Sequence, residues 1–180
     1  MTLEDRFQAL SAHRQGHIQR VMAVMEDLAK AHHLDREAAR LAGYGHDLAR
    51  EMARPQLVEE ARRLDVHIGP EEQQEPLLLH GAIAARWLEL EGAGSPVVWE
   101  AVRYHTTGRK NLDPLGQALF IADGVEPGRQ YAERADLLQR ALEDLAGGYC
   151  AVLEHTLAYL HARGLTPHPD MLDALSACRA

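Results

Sequence analysis

Four histidines and two aspartates in this chain have the side-chain chemistry of a metal centre: His17, His46, Asp47, His80, His105 and Asp123. Mixed nitrogen and oxygen donors suit iron, manganese or zinc, whereas calcium and magnesium prefer shells made only of oxygen. Six protein ligands exceed what one catalytic ion takes while keeping positions open for water and substrate, so the set suits two divalent ions sharing a carboxylate. Asp47 is the expected bridge. Two divalent cations with two carboxylates leave a charge of about +2, or about +1 with a bridging hydroxide, and such a site draws an anion. Two ions at a dinuclear spacing of about 3.5–4 Å can hold a phosphoryl oxygen and generate hydroxide near neutral pH. Hydrolysis of a phosphate bond is the expected chemistry. Taken singly, each histidine would read as a core residue bonded to a backbone carbonyl. A buried carboxylate is harder to dismiss, because it needs a cation or several hydrogen bonds to offset lost hydration, and burial of all six residues calls for one shared partner.

For the six to meet, each must lie on the inward face of its own element. Apolar residues recur at three- and four-residue intervals almost throughout, and alternating strand-like patterns are hard to find, which predicts an all-α bundle. Helices are expected over residues 3–30 (with a weak point at Gly16), 35–50, 55–65, 75–91, 96–106, 112–126, 133–145, 148–163 and 168–178. Gly69-Pro70, the Gly92 to Pro96 run, Gly108 to Pro114, Gly147-Gly148 and the Pro167/Pro169 pair punctuate them. His17 shares a helical face with Leu10, Val21, Val24 and Leu28. Ala38, Leu41 and Ala42 lead to His46, and Asp47 beside it reaches the same centre if the helix ends there, as Gly43 and Gly45 allow. His80 follows Leu77 and precedes Ala84, Trp87 and Leu88; His105 follows Val98, Ala101 and Val102; Asp123 follows Leu119 and Phe120.

At 180 residues with 46% hydrophobic and 26% charged residues, the chain fits one folded domain spanning 1–180. The motifs occupy about residues 13–130, and helices over 132–180 are expected to pack on that core. A formal net charge of −8 argues against binding a nucleic-acid backbone, which relies on many cationic contacts. The N-terminus has no basic flank or apolar stretch of a signal peptide, and no apolar run reaches a bilayer span, so a cytoplasmic protein without membrane attachment is expected. Cys150 and Cys178 lie far from the histidine motifs and lack the spacing of a zinc clip or redox pair. A monomer and a homodimer are both compatible with the sequence.

The order His17, His46-Asp47, Asp123 resembles the HD superfamily, named for its His-Asp pair. The surrounding words resemble the bacterial YqeK family in particular: Arg14-Gln15-Gly16-His17, Leu78-Leu79-His80-Gly81, His105-Thr106-Thr107-Gly108, and Ile121 to Arg129. That resemblance covers about two thirds of the chain. It implies an HD-type helical bundle and a symmetrical bis(5'-nucleosyl)-tetraphosphatase, cutting diadenosine tetraphosphate into two ADP at a di-iron centre. It also implies that His17, His46, Asp47 and Asp123 hold one ion, while His80 and His105 complete the other with Asp47 between them. One departure stands out, since the family usually has lysine three residues after the aspartate and this chain has Arg50. A guanidinium binds phosphate well but gives up a proton poorly. Only Lys30 and Lys110 among nineteen cationic residues are lysines, so the exchange agrees with the arginine bias of the whole chain.

Asp47 and Arg50 are therefore the candidate catalytic residues. Substrate contacts are expected from Arg14, Arg50, Arg109 and Arg129, with Thr106, Thr107 and Gly108 offering hydroxyl or backbone donors. Glu126 is expected to hold a ligand or Arg129. His13, His32, His33, His67, His155, His161 and His168 are expected on solvated faces or in loops. The leading substrate is a dinucleoside polyphosphate. Alternatives are a nucleoside di- or triphosphate or a guanosine alarmone cut by the same chemistry, or a nucleotide-sensing module that binds without cutting.

Overall fold

Thr2 and Ser11 set the starts of the first two helices. In the computed structural model, which describes residues 1–180, α1 spans Leu3–Gln8 behind a Thr2/Asp5 capping box. Helix α2, Ala12–Ala31, begins at Ser11, whose hydroxyl accepts from the Arg14 N–H. The single helix expected over residues 3–30 is thus two, and the break falls before Ser11 instead of at Gly16. Ser11 supplies the cap that a helix start needs, and its own N–H and hydroxyl donate to Glu51. Gly16 stays helical beneath the guanidinium of Arg20, which a Cβ there would meet at 3.2 Å.

Asp35 caps α3, Arg36–Gly45, which stops five residues short of its expected end. Residues 46–50 wind instead in tighter turns, with Leu48 N–H on Gly45 O and Arg50 N–H on Asp47 O. There follow α4 (Arg54–Arg63), α5 (Pro70–Gln74), a 3₁₀ turn (Pro76–Leu78), α6 (Leu79–Leu90), α7 (Pro96–Tyr104), α8 (Pro114–Val125), α9 (Arg134–Glu143), α10 (Leu145–Ala162) and α11 (Pro169–Cys178). Helix α5 is an addition to the expected set. Gly69-Pro70 reads as a breaker in sequence, yet proline is well suited to a first helical position and Glu72 accepts from the Gly69 N–H.

The all-α expectation holds, without a strand. Two buried apolar clusters fill the interior. The larger draws on α2, α3 and every helix from α6 to α11, including Val21, Met25, Leu88, Leu119, Ile121 and Leu153. The smaller gathers Phe7, Ile18, Leu48, Leu57, Leu79, Ile83 and Trp87. Helices α2 and α6 and the segment from α3 to Ala49 each contribute to both, and His46-Asp47 fall where the chain passes from Ala42 of the larger cluster to Leu48 of the smaller. The His46-Asp47 pair therefore lies at a seam between the clusters.

Close helix approach at this seam is set by glycine. A Cβ on Gly45 would lie 2.8 Å from Leu88 Cδ1, and one on Gly81 would lie 2.9 Å from the Val102 carbonyl oxygen. The glycine beside His46 thus serves packing of α3 on α6. Cys150 and Cys178 form a disulfide that ties α10 to α11. No helix is long and apolar enough to cross a membrane.

Candidate metal centre

Asp47 is 3% exposed and its two carboxylate oxygens face different pairs of imidazoles. Oδ2 lies 3.5 Å from His17 Nε2 and 3.6 Å from His46 Nε2. Oδ1 lies 3.3 Å from His80 Nε2 and 3.6 Å from His105 Nε2. Two buried triads result, His17/His46/Asp47 and Asp47/His80/His105. Asp123 Oδ1 joins the first at 3.1 Å from His17 Nε2. Its side chain is 22% exposed, so it is less buried than its apolar helix face suggested, because it lines the cavity through which the centre opens.

Each imidazole is held by its outer nitrogen. Nδ1 of His46, His80 and His105 lies 2.7, 2.5 and 2.7 Å from the carbonyl oxygens of Gly43, Leu77 and Val102. His17 Nδ1 lies 3.1 Å from Glu126 Oε1. Carbonyl and carboxylate oxygens only accept, so Nδ1 is the protonated atom in each ring and every Nε2 turns a lone pair inward. His80 Nε2 and His105 Nε2 are 3.1 Å apart, and His17 Nε2 and His46 Nε2 are 3.3 Å apart. Lone pairs so close, with a carboxylate beside them, repel one another unless a cation lies between. Ligand atoms about 2.0–2.1 Å from one ion stand about 3 Å apart when the angle between them is near a right angle, which is the spacing found here. The donor set therefore fits divalent transition-metal ions.

Electrostatics favour the ligand forms of both aspartates and of two of the imidazoles. Burial pushes the His46 pKa down to about 4 and that of His80 below its ordinary value, so both rings are neutral at pH 7. Burial also opposes charge on His105, but the Asp47 carboxylate outweighs it and raises that pKa. Burial disfavours the Asp47 anion too, yet His46 and the contacts from His105 and His80 hold its carboxyl well below the usual range. Asp123 is lowered against its own desolvation by His17, His46 and Arg129. Glu126, buried beneath His17, is held at about 2 against desolvation by Arg20, the Gly128 N–H and His17.

The centre opens into a cavity of about 240 Å³ lined by Arg14, Arg50, Thr106 and Arg129 together with Asp47, His80, His105 and Asp123. Arg14 Nη1 donates to Asp47 Oδ2 at 2.6 Å, and Arg129 Nη2 donates to Asp123 Oδ1 at 2.8 Å. The Arg50 guanidinium makes no ion pair, and burial lowers its pKa from the ordinary arginine value. Thr106 Oγ1 lies 3.2 Å from His105 Nε2. Three of the residues expected at substrate lie elsewhere. Arg109 pairs with Glu100 at 2.7 Å and faces another groove. Thr107 donates to its neighbour's carbonyl, and Gly108 turns the chain at φ +66° beneath Tyr149. These two close α7, the role that a left-handed glycine after a helix ordinarily has.

Glu126 holds His17 and pairs with Arg20 at 2.6 Å, not with Arg129. Arg20 had no signal in the sequence beyond its position one turn after His17. Of the histidines expected on solvated faces or in loops, His32, 2.6 Å from the Ala141 carbonyl, and His168, which caps α11, lie outside the helices, whereas His155 is half-buried in α10 and stacks on Tyr131 with ring centroids 4.2 Å apart.

A profile of the HD domain matches residues 14–128. A protein of Halalkalibacterium halodurans named symmetrical bis(5'-nucleosyl)-tetraphosphatase is 33% identical over 169 residues, spanning 91% of this chain and 87% of that protein. One of the same name from Bacillus subtilis is 26% identical over 166 residues, spanning 91% and 88%. A crystal structure from Clostridium acetobutylicum, described as a predicted HD superfamily hydrolase involved in NAD metabolism, superposes with a TM-score of 0.92 at 28% identity, covering 98% of this chain and 95% of that one.

Proposed function

The chain belongs to the HD-domain family, among the symmetrical bis(5'-nucleosyl)-tetraphosphatases, and is a hydrolase; on that premise we propose that it cuts diadenosine tetraphosphate and related dinucleoside polyphosphates at the central anhydride. The observation that carries this reading is Asp47, with one imidazole pair at each oxygen and three arginines around the cavity above it. We take two ions of iron as resident, held by His17, His46, Asp47 and Asp123 on one side and by Asp47, His80 and His105 on the other. Manganese and zinc are the alternatives that the same donors accept. Such ions, when bound, supply Lewis acidity at phosphoryl oxygen and lower the pKa of an attacking water.

The chain's own residues do the positioning. Arg50, free of any carboxylate partner, offers a planar fork of donors to a phosphate, and Arg14 and Arg129 flank it from α2 and from the loop after α8. These cations neutralise charge that accumulates on the polyphosphate as the anhydride breaks. A guanidinium keeps its proton at neutral pH, so Arg50 stabilises the departing ADP by charge and hydrogen bonding and does not donate a proton to it. Thr106 sits over the His80/His105 pair and can orient a phosphoryl oxygen.

Purified, metal-loaded protein incubated with diadenosine tetraphosphate should release ADP as the sole nucleotide product on chromatography. AMP with ATP would reject symmetrical cleavage. Turnover of a nucleoside triphosphate or a guanosine alarmone in preference would transfer the same centre to a different substrate. Tight binding without turnover at full metal loading would make the protein a sensor.

A further inference from the structure

Beside the metal cavity lies a second one of about 310 Å³, and the two share His105, Thr106, Asp123 and Arg129 as a common wall. Helix α8 builds both. Asp123 delivers its carboxylate to the centre, while Phe120 and Gly124, three residues before and one after, line the neighbouring space. The opposite wall is α10, where His155 and Tyr159 stand one turn apart. Tyr131 closes the space from the loop after α8, its hydroxyl donating to the Gly124 carbonyl at 2.7 Å and its ring stacked on His155 at an interplanar angle of 24°. Neither the His155 ring nor the Tyr159 hydroxyl has a hydrogen-bond partner in the protein. The space thus combines flat aromatic walls, unused polar atoms, and direct continuity with three arginines and the metal ligands.

We infer that this cavity takes the nucleobase of one nucleoside diphosphate half of the substrate, with Tyr131 and His155 as its stacking platform. The inference rests on the functional reading above and adds residues to it. A linear polyphosphate cut at its middle must extend a diphosphate and then a nucleoside away from the metal centre. The wall shared by both cavities, with Arg129 and Thr106 in it, is where the phosphates would leave the first and the base enter the second. Cavities of about 300 Å³ lie at the small end of ligand sites, which suits a single nucleoside. Base stacking on an aromatic ring tolerates every base, while the free atoms of His155 and Tyr159 can address an edge. The competing explanation is that Tyr131 and His155 merely pin a loop to α10.

The two explanations part when a ligand with a base is compared with one without. Calorimetry on manganese-loaded protein should show ADP binding more tightly than methylenediphosphonate, by about tenfold or more. Tyr131→Ala and His155→Ala should each weaken ADP by about tenfold while leaving the diphosphonate within about twofold. Tyr131→Phe, which keeps the ring, should stay close to the starting protein. Unchanged ADP affinity in both alanine variants would overturn the base pocket. Parallel loss of both probes would overturn it as well, because the pair would then act only on the loop and the metal cavity. Failure of the starting protein to cut diadenosine tetraphosphate, with the affinity ratios as expected, would remove the substrate proposed above and keep the pocket. Cleavage to ADP with ratios unmoved by the variants would do the reverse.

Discussion

His46 and His105 sit just past the ends of α3 and α7, where the last carbonyls of a helix lack helical partners, and each ring uses the carbonyl three residues before it to fix its outer nitrogen. His80 uses the same device at the start of α6. This arrangement is local, which is why spacing against apolar residues sufficed to turn these rings inward in the sequence reading. His17 is different. It lies inside α2, where nearby carbonyls already serve the helix, and its outer nitrogen is held by Glu126, 109 residues away. Sequence marked Glu126 as a holder of a ligand or of Arg129 but left the choice open, and it gave no sign of Arg20, because only the fold brings that guanidinium to the carboxylate. His105→Ala should leave one ion of two and lower the rate by about a hundredfold or more, read by metal analysis beside product assay. Glu126→Gln keeps every ligand but loosens His17, so metal affinity should fall by about ten- to a hundredfold, with activity restored by excess metal. Two ions retained in His105→Ala would contradict the ligand assignment.

At the scale of helices, Gly81 governs how close α6 comes to α7. A Cβ there would meet backbone, the carbonyl oxygens of Val102 and Arg103 at 2.9 and 3.0 Å, and the His105 ring at 3.2 Å. Backbone cannot swing aside as a side chain can, so Gly81→Ala should force the two helices apart and separate His80 from His105. Overpacking of this kind costs about 1–3 kcal/mol. Activity should fall further than stability, because the imidazole pair must keep its spacing to share an ion. A variant with a lowered melting temperature but full metal content and full rate would show that the spacing has slack. Periodicity located most helices since their apolar stripes are continuous, but it ran through the break before Ser11 and past the end of α3. The start of α2 is set by the Ser11 cap, which Glu51 holds from 40 residues away, and beyond Gly45 the backbone passes into i→i+3 turns, neither of which alters the apolar spacing. The Cys150–Cys178 bridge was illegible because its ends, 28 positions apart in sequence, are brought together only by the packing of α10 and α11. Disulfides are rare in reducing compartments, so the cytoplasmic location expected from sequence makes the state of this bridge in the cell worth measuring.

For the whole molecule, the histidine–aspartate cluster meets at Asp47, by the seam of two apolar clusters, and gathers the proposed ligands from five separated segments, at positions 17, 46–47, 80, 105 and 123. An unfolded chain has no such site, so the free energy of metal binding adds to stability. Each ion held about a thousandfold above its dissociation constant would contribute about 4 kcal/mol, or roughly 10 °C in melting temperature for a chain of this length. Chelation should remove that increment. The stripped protein should then be sensitive to acid. His46, lowered to about 4, and His80, lowered as well, stay neutral in the folded state while the unfolded chain takes up protons below about 6.5, so stability is lost as pH falls from about 6.5 towards 4. His105, whose pKa is raised, runs the other way and offsets part of this loss. The lowered carboxyls of Asp47, Asp123 and Glu126 contribute stability above the ordinary carboxylate range and lose it as pH falls through their folded values, which steepens the decline below about 4. Urea titrations of stripped protein at pH 7, 6, 5 and 4 should therefore show a falling midpoint, and the metal-loaded protein should fall later because bound ions hold the imidazoles deprotonated. A flat midpoint from pH 7 to 4 in stripped protein would mean that the buried imidazoles are not the groups that couple this seam to acid.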